Sequence, residues 1–320
     1  MLPKPLSPAA RLPWEESLKI EPAEPGLPGV SVVIPIWNAG NFLEKTLRSL
    51  LSNDLTGVEL ILMDGGSTDN TAQIVEHYRS MFAVAVSEKD KGQSDAINKG
   101  FARATKPILY WLNGDDLILP NTLNAVRRAF RDNPGTEVVV GNAYMTEKDL
   151  KPIRHFVFGA EKLKFDHLLN YAQHHLVQPS VFFSRKAWEA AGPLKLEQHY
   201  AMDADLFLGM AKRFAFRHLP LDIAYSVYHE DCKTRGKRGE SITELALVQA
   251  SHGGLDEARR TLDILVQMYN EASSRPAQRA QVPASLRGSE EVLRQRLQSM
   301  EQTIAKNRQA LLDLDLELGG

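Results

Sequence analysis

Short apolar runs alternate with helix-spaced apolar patterns through the first half of the chain. Val30 to Ile36 (VSVVIPI) is apolar almost throughout and of strand length. After it, Phe42, Leu43, Leu47, Leu50 and Leu51 recur at the spacing of one helix face. The alternation then repeats. VELILMD (Val58 to Asp64) reads as a strand, STDNTAQIVEHY opens with helix-capping residue types, FAVAVS is a third strand, KGQSDAINKGFARA a helix and PILYWL a fourth strand. Strands alternating with helices predict an α/β fold built on a doubly wound, mostly parallel, Rossmann-like sheet.

Farther on the pattern weakens. TEVVVGNAY reads as another strand, Val181 to Ser184 as a further one followed by a helix with Trp188 facing inward, and Leu206 to Lys212 as a helix. SITELALVQASHGGLDEARRTLDILVQMY predicts one or two amphipathic helices broken at Gly253 and Gly254. The expected organisation is a proline-rich arm over residues 1–29, either extended on the surface or disordered, then a main domain over 30–240. A helical extension over 241–271, a linker over 272–287 and a coiled-coil-like helix over 288–320 follow. In that last segment Leu293, Leu297, Met300, Ile304, Asn307, Leu311 and Leu314 recur at four and three residues, a heptad seam with one polar position. Leu312 and Leu316 widen the stripe, so self-association and docking onto the main domain both stay open.

Composition narrows the function classes. A net charge of −2 over 320 residues supplies no global attraction to nucleic acid or to an anionic membrane. The single cysteine, Cys232, excludes a disulfide framework and a cysteine-cluster metal site and suits a reducing compartment. No apolar run approaches the ~20 residues of a membrane span. The expectation is a cytoplasmic protein, with peripheral contact at the inner membrane face left open.

The polar residues that interrupt this pattern fall where each strand ends. Pro35 and Asn38 follow the first strand, Asp64 ends the second, Glu88 and Asp90 follow the third, and Asn113, Asp115 and Asp116 follow the fourth. In doubly wound sheets ligands bind beyond the carboxyl ends of the strands, so these residues predict a binding rim. Adjacent carboxylates at a buried strand's end repel unless water or a cation screens them. Solvated turns are the competing explanation, since Asp and Asn are common turn residues.

The segments VSVVIPIWNAGNFLEKTLRSLL, ELILMDGGSTDNT, SEKDKGQSDAINKGFARAT and ILYWLNGDDLILP resemble, in order, the motifs of family-two glycosyltransferases with the GT-A fold, over about Val30 to Tyr228. The resemblance implies a nucleotide-diphosphate sugar donor, UDP by default, a divalent Mn²⁺ or Mg²⁺ cofactor and inverting transfer to a hydroxyl of a glycan or glycolipid. It carries the family's Asp-x-Asp element onto Asn113, Gly114 and Asp115, with Asp115 as metal ligand and Asp116 as a supporting or sugar contact. Asn in place of the first acid is a departure that weakens the expected metal affinity. Pro35, Ile36 and Asn38 match the edge beside the base, Asp64 the acid that meets the nucleoside, and Asp95 the helix near the nucleotide and sugar.

In HYAMDADLFLGMAKRF, Asp203 takes the place of the family's catalytic base, with Met202 where an acid usually precedes it and Gly209 where an Arg often follows. A carboxylate opposite the leaving group can take the acceptor's proton as the new bond forms. A helix N-cap is the alternative for Asp203 or Asp205. His229 stands where a late metal-binding His occurs in many such enzymes, while Gln178, His199 and Arg235 are candidates for the acceptor or phosphate side. The departures at 113, 202 and 209 also motivate a different class, an inactive sugar-nucleotide-binding or scaffold protein. A dehydrogenase is disfavoured, because no G-x-G-x-x-G follows the first strand.

Overall fold

The computed structural model describes residues 3–230, 232–233 and 237–274. Arg235 and the heptad pattern of 288–320 lie outside the described residues.

Four strands, β1 (Val30–Ile36), β2 (Val58–Asp64), β3 (Val84–Ser87) and β4 (Ile108–Trp111), form the parallel part of one sheet in the order β3-β2-β1-β4. They are linked by α1 (Leu43–Leu51), α2 (Thr71–His77) and α3 (Gln93–Arg103). Their side chains alternate between two cores. Val33, Ile61, Met63, Leu109 and Trp111 face one layer with Ile97 and Phe101 of α3, whereas Val32, Ile34, Leu60, Leu62 and Tyr110 face the other with Leu43, Leu47 and Leu50 of α1. Burial on both faces is why these strands read as continuous apolar runs.

The chain continues through β5 (Leu117–Ile118), α4 (Thr122–Arg131), β6 (Val138–Glu147) and β7 (Pro152–Phe156). Two short helices follow, α5 (Phe165–Leu169) and α6 (Tyr171–His174), then β8 (Val181–Ser184), α7 (Arg185–Ala191), α8 (Met202–Ala211), β9 (Phe216–Tyr228), α9 (Arg238–Ser251) and α10 (Leu255–Ser274). Beyond β4 the sheet order is β8-β6-β9-β5, with β7 paired to β6. Here β8 is antiparallel to β4 and β6, β9 is parallel to β6, and β5 is antiparallel to β9.

The thirteen-residue β9 was not anticipated from the sequence. It carries Pro220, and its pairing with β6 shifts register after Gly141. A proline cannot donate to the ladder, so it is tolerated where the strand bulges, and the bulge erases the two-residue period that would have announced a strand.

The proline-rich arm lies on the surface of the sheet's α1 side. Glu44 accepts the backbone N–H groups of Leu6 at 2.6 Å and Ser7 at 3.2 Å, and Trp14 Nε1 donates to Ser52 Oγ at 3.0 Å. Arg48, 2% exposed, donates Nε to Glu15 Oε1 at 2.7 Å and Nη1 to the Tyr78 hydroxyl at 3.1 Å. Leu12 of the arm packs with Leu117 and Val227, directly behind the fourth strand's acidic turn.

Residues through Thr261 form one compact unit and a second begins at Leu262. Within the first, the corner between α9 and α10 is closed at Gly253, whose φ of 96° lies in the left-handed region that favours glycine. Among the described residues no helix is long and apolar enough to cross a membrane.

Candidate functional site

The rim is assembled from loops that follow the parallel strands. After β1 the backbone turns at Asn38, with φ of 48°. Its N–H donates to Ser67 Oγ at 2.8 Å, and its Oδ1 accepts the Thr68 N–H at 2.8 Å. Ser67 in turn donates N–H and Oγ to Asp64 Oδ1 at 3.0 and 2.6 Å, while Ser87 Oγ donates to Asp64 Oδ2 at 2.6 Å. Pro35 and Ile36 pair with Met63 and Asp64, so the predicted base edge and nucleoside acid are neighbours across two strands. Asp64 is 7% exposed, and its carboxylate ties the loop after β2 to the end of β3. Trp37, which had not been singled out, projects from this edge with 69% of its surface exposed.

Asp95, in the first turn of α3, accepts the Lys91 N–H and is paired with Lys99 at 3.0 Å; Lys99 also reaches Glu88 at 3.1 Å. Burial opposes ionisation there, but the Lys91 N–H and the Lys99 ammonium outweigh it and hold the Asp95 carboxyl below its usual range.

The turn after β4 is tightly held. Gly114 sits where a Cβ would lie 2.7 Å from Ile36 Cγ2, so only glycine lets this turn close on the end of β1. The Asn113 amide commits both its hydrogens and its carbonyl oxygen. Its Oδ1 accepts from Gln93 Nε2 at 2.8 Å, and its Nδ2 donates to Asp116 Oδ2 at 3.1 Å and to Gln178 Oε1 at 3.0 Å. Gln178 is itself fixed by donating Nε2 to the Trp111 carbonyl at 2.9 Å. Asp116 is buried, and its second oxygen accepts the Val227 N–H at 3.1 Å. Burial, then the charge of Asp115, pushes its carboxyl up to about 8, against the hydrogen bonds it accepts. The site therefore has two adjacent carboxyls in different settings: Asp116 turned inward and Asp115 one-third exposed.

Asp115 faces a residue 114 positions away. His229 Nε2 lies 3.0 Å from Asp115 Oδ2, and the imidazole is stacked on Phe42, with ring centroids 4.0 Å apart. Asp115, His229 and Cys232 bring a carboxylate oxygen, an imidazole nitrogen and a sulfur within 4.8 Å of one another. That donor set fits a divalent ion.

At the first turn of α8 the two acids diverge as well. Asp203 accepts the Ala204 N–H at 2.8 Å; burial, then the nearby negative charge of Glu244, pushes its carboxyl up to about 6, against its backbone hydrogen bonds. Asp205 bonds His252 Nε2 and Lys195 Nζ, each at 2.7 Å, and Gln198 Nε2 at 2.9 Å. Burial would raise it, but those donors hold its carboxyl well below the usual range. Asp203 thus serves one N–H of the helix's first turn, and the N–H groups just ahead of the helix go to another acid. Glu244 of α9 accepts from His199, Tyr200 and Ala201 at 2.9, 2.6 and 2.7 Å. His199 is exposed, its backbone N–H held by this cap and its ring edge-on to Tyr200 with centroids 6.4 Å apart. At Gly209 of α8 an added Cβ would make ordinary contact with Ala191 Cβ of α7, at 3.4 Å. Glu244, Gln93, Phe42 and His252 carry no local signal in the sequence, because each acts on a residue far along the chain.

Comparison with known proteins agrees with this architecture. The model of glycosyl transferase family 2 matches residues 31–191, half of the chain. The chain is 26% identical over 148 residues to glycosyltransferase GlyG of Streptococcus pneumoniae, covering 44% of this chain and 49% of that one. It is 25% identical over 238 residues to chondroitin synthase of Escherichia coli, covering 71% of this chain and 32% of that one. It thus spans about half or less of the curated relatives it matches. Among solved structures, S. aureus TarS 1–349 in complex with UDP-GlcNAc superposes with a TM-score of 0.56 at 19% identity, covering 69% of this chain and 66% of that one. The mannosyltransferase PcManGT of Pyrobaculum calidifontis, in complex with GDP-Man and Mn²⁺, gives 0.52 at 17% identity and covers 85% and 87%. The matched family model and the shared sheet establish that this chain belongs to glycosyltransferase family 2 and has the GT-A fold.

Proposed function

We propose that the protein is an inverting glycosyltransferase that moves a sugar from a nucleotide-diphosphate donor to a hydroxyl of a glycan or glycolipid, of the kind that builds cell-surface polysaccharide. The observation that carries this reading is the 3.0 Å approach of His229 to Asp115 at the strand-end rim. Relatives named as synthases of chondroitin and of poly-beta-1,6-N-acetyl-D-glucosamine support the substrate class.

In this reading the nucleoside lies along Pro35 to Asn38 and Asp64, with the base against the exposed Trp37 indole. Asp115 and His229 hold Mn²⁺ or Mg²⁺, which when bound neutralises the charge growing on the departing diphosphate. Asn113 is not a ligand: its amide sets the angle of the turn, and Asp116 and Gln178 act through it. Asp203 removes the proton of the acceptor hydroxyl. A carboxyl raised to about 6 remains ionised at neutral pH yet is more basic than an exposed aspartate. Glu244 positions Asp203 by fixing the backbone ahead of α8.

The amide network at Asn113 gives a structural reason for one of the departures that motivated an inactive scaffold. UDP-sugar hydrolysis and transfer by the purified protein, with and without Mn²⁺, test the reading. Cation-stimulated release of nucleotide that disappears in Asp115→Ala supports it. Tight nucleotide binding with no turnover on any donor would favour the scaffold.

A further inference from the structure

Cys232 is the only cysteine in the chain, and it falls beside the pair assigned above to the cation. His229 and Cys232 are three residues apart and are closed into one turn by the Cys232 N–H donating to the His229 carbonyl at 3.3 Å. The turn brings the sulfur back over its own start, where the His229 N–H donates to Cys232 Sγ at 3.2 Å. A backbone N–H aimed at sulfur stabilises its anionic form, and hydrogen bonds of this kind tune metal-bound thiolates. The sulfur's own weak contact as donor, to the Val227 carbonyl, is 3.5 Å long.

The rest of the cluster is held from behind. Phe42 stacks on the imidazole, and Val227, two residues before His229, is anchored to Asp116 through its N–H. The three donor atoms therefore meet by construction of the β9 end against the acidic turn.

We propose that Cys232 is a third protein ligand of the cation, so that this site is an oxygen, nitrogen and sulfur site. The proposal rests on the reading that Asp115 and His229 bind a divalent ion. It adds a selectivity: thiolate suits borderline ions such as Zn²⁺ and Co²⁺, whereas Mg²⁺ prefers oxygen and gains little from sulfur. On binding, the thiol S–H bond breaks, a sulfur–metal bond forms with the sulfur's electron pair, and the proton passes to solvent.

Co²⁺ titration of the full chain under reducing conditions, followed by absorption, tests the assignment without recourse to activity. The expected result is a near-ultraviolet thiolate-to-cobalt band in the wild type that is lost in Cys232→Ser and Cys232→Ala. Those variants retain weaker Co²⁺ binding through Asp115 and His229, and their affinity for Zn²⁺ falls by about tenfold or more. Their affinity for Mg²⁺, measured by competition, stays within about twofold. Co²⁺ binding that requires Asp115 and His229 but shows no thiolate band overturns the role of Cys232 and leaves the proposed function standing. Absence of Co²⁺ binding in the wild type overturns both.

Discussion

Asn113 Nδ2 lies 3.1 Å from Asp116 Oδ2, and this contact makes position 113 a donor. Together with the bond to Gln178 Oε1 it commits both amide hydrogens, leaving the carbonyl to accept from Gln93. An aspartate of the same shape loses both amide hydrogens, so Gln178 Oε1 is left facing a carboxylate oxygen and the contact to Asp116 survives only where Asp116 carries the proton. Asn113→Asp is therefore expected to lower stability by about 1–3 kcal/mol, the cost of leaving buried polar groups unsatisfied. Urea denaturation of the metal-free protein measures it. A variant as stable as the wild type would show that the amide network does not hold the turn.

The acid at the head of α8 predicts a pH profile. Asp203 must be ionised to accept a proton, and its carboxyl titrates at about 6. The pH profile of kcat/KM should be flat above pH 7 and fall about tenfold per unit below the midpoint near 6. Asp203→Asn should cost on the order of 10²- to 10⁴-fold in transfer while nucleotide binding, read by thermal shift, is retained. An unchanged acid limb in a transfer-competent Asp203→Asn would assign the base elsewhere.

Asp205 predicts a different acid response, one of stability. Its folded carboxyl titrates below its unfolded value, so the unfolded chain binds the proton more tightly. The stabilisation is present above the unfolded value of ~3.9 and is lost as pH falls through the folded one. Asp205→Asn should cost roughly 1.5–3 kcal/mol at pH 7, the worth of hydrogen bonds to a charged group, and flatten stability between about pH 4 and pH 2. Chemical denaturation of both proteins at pH 7 and pH 3.5 compares them.

The arm is predicted to contribute to the fold. Glu15 pairs with a guanidinium that is 2% exposed; removing the carboxylate leaves that charge unpaired, with the Pro3 carbonyl and the Tyr78 hydroxyl still accepting from it. Glu15→Ala should lower stability by about 1.5–3 kcal/mol, the worth of the charged hydrogen bonds lost. Calorimetric melting checks this; a shift smaller than a degree would mean that water readily replaces the carboxylate.

Trp37 is exposed to 69% just beyond the end of β1, where its indole face is open to a planar ligand. Stacking of a base on it should contribute about 1–3 kcal/mol, so Trp37→Ala should weaken UDP binding accordingly without changing stability. Calorimetric titration with UDP decides, and equal affinity in the two proteins would place the base elsewhere.

The local pattern was sufficient for much of the fold. Apolar runs such as Val30–Ile36 and Val58–Asp64 match their strands end to end, because a strand buried on both faces is apolar at most positions; Ser31 and Glu59, the interior exceptions, hydrogen-bond to each other across the two strands. β9 was not legible, since its bulge and Pro220 break the two-residue period. The same contrast holds at the rim. Asp64, Asn113 and Asp115 stand out in the sequence because they end or follow apolar runs, whereas Asp95 was placed by the family resemblance.

By itself, then, the sequence determined which residues stand at the strand ends, a property of short segments whose burial dictates their composition. Only the tertiary structure decided which acid turns inward, that Glu244 caps α8, and that His229 and Cys232 meet Asp115. Those relationships join groups dozens to more than a hundred residues apart, and no local period encodes them. They arise where the packed path of the chain brings donors to acceptors, and burial then makes each pairing hard to leave unsatisfied.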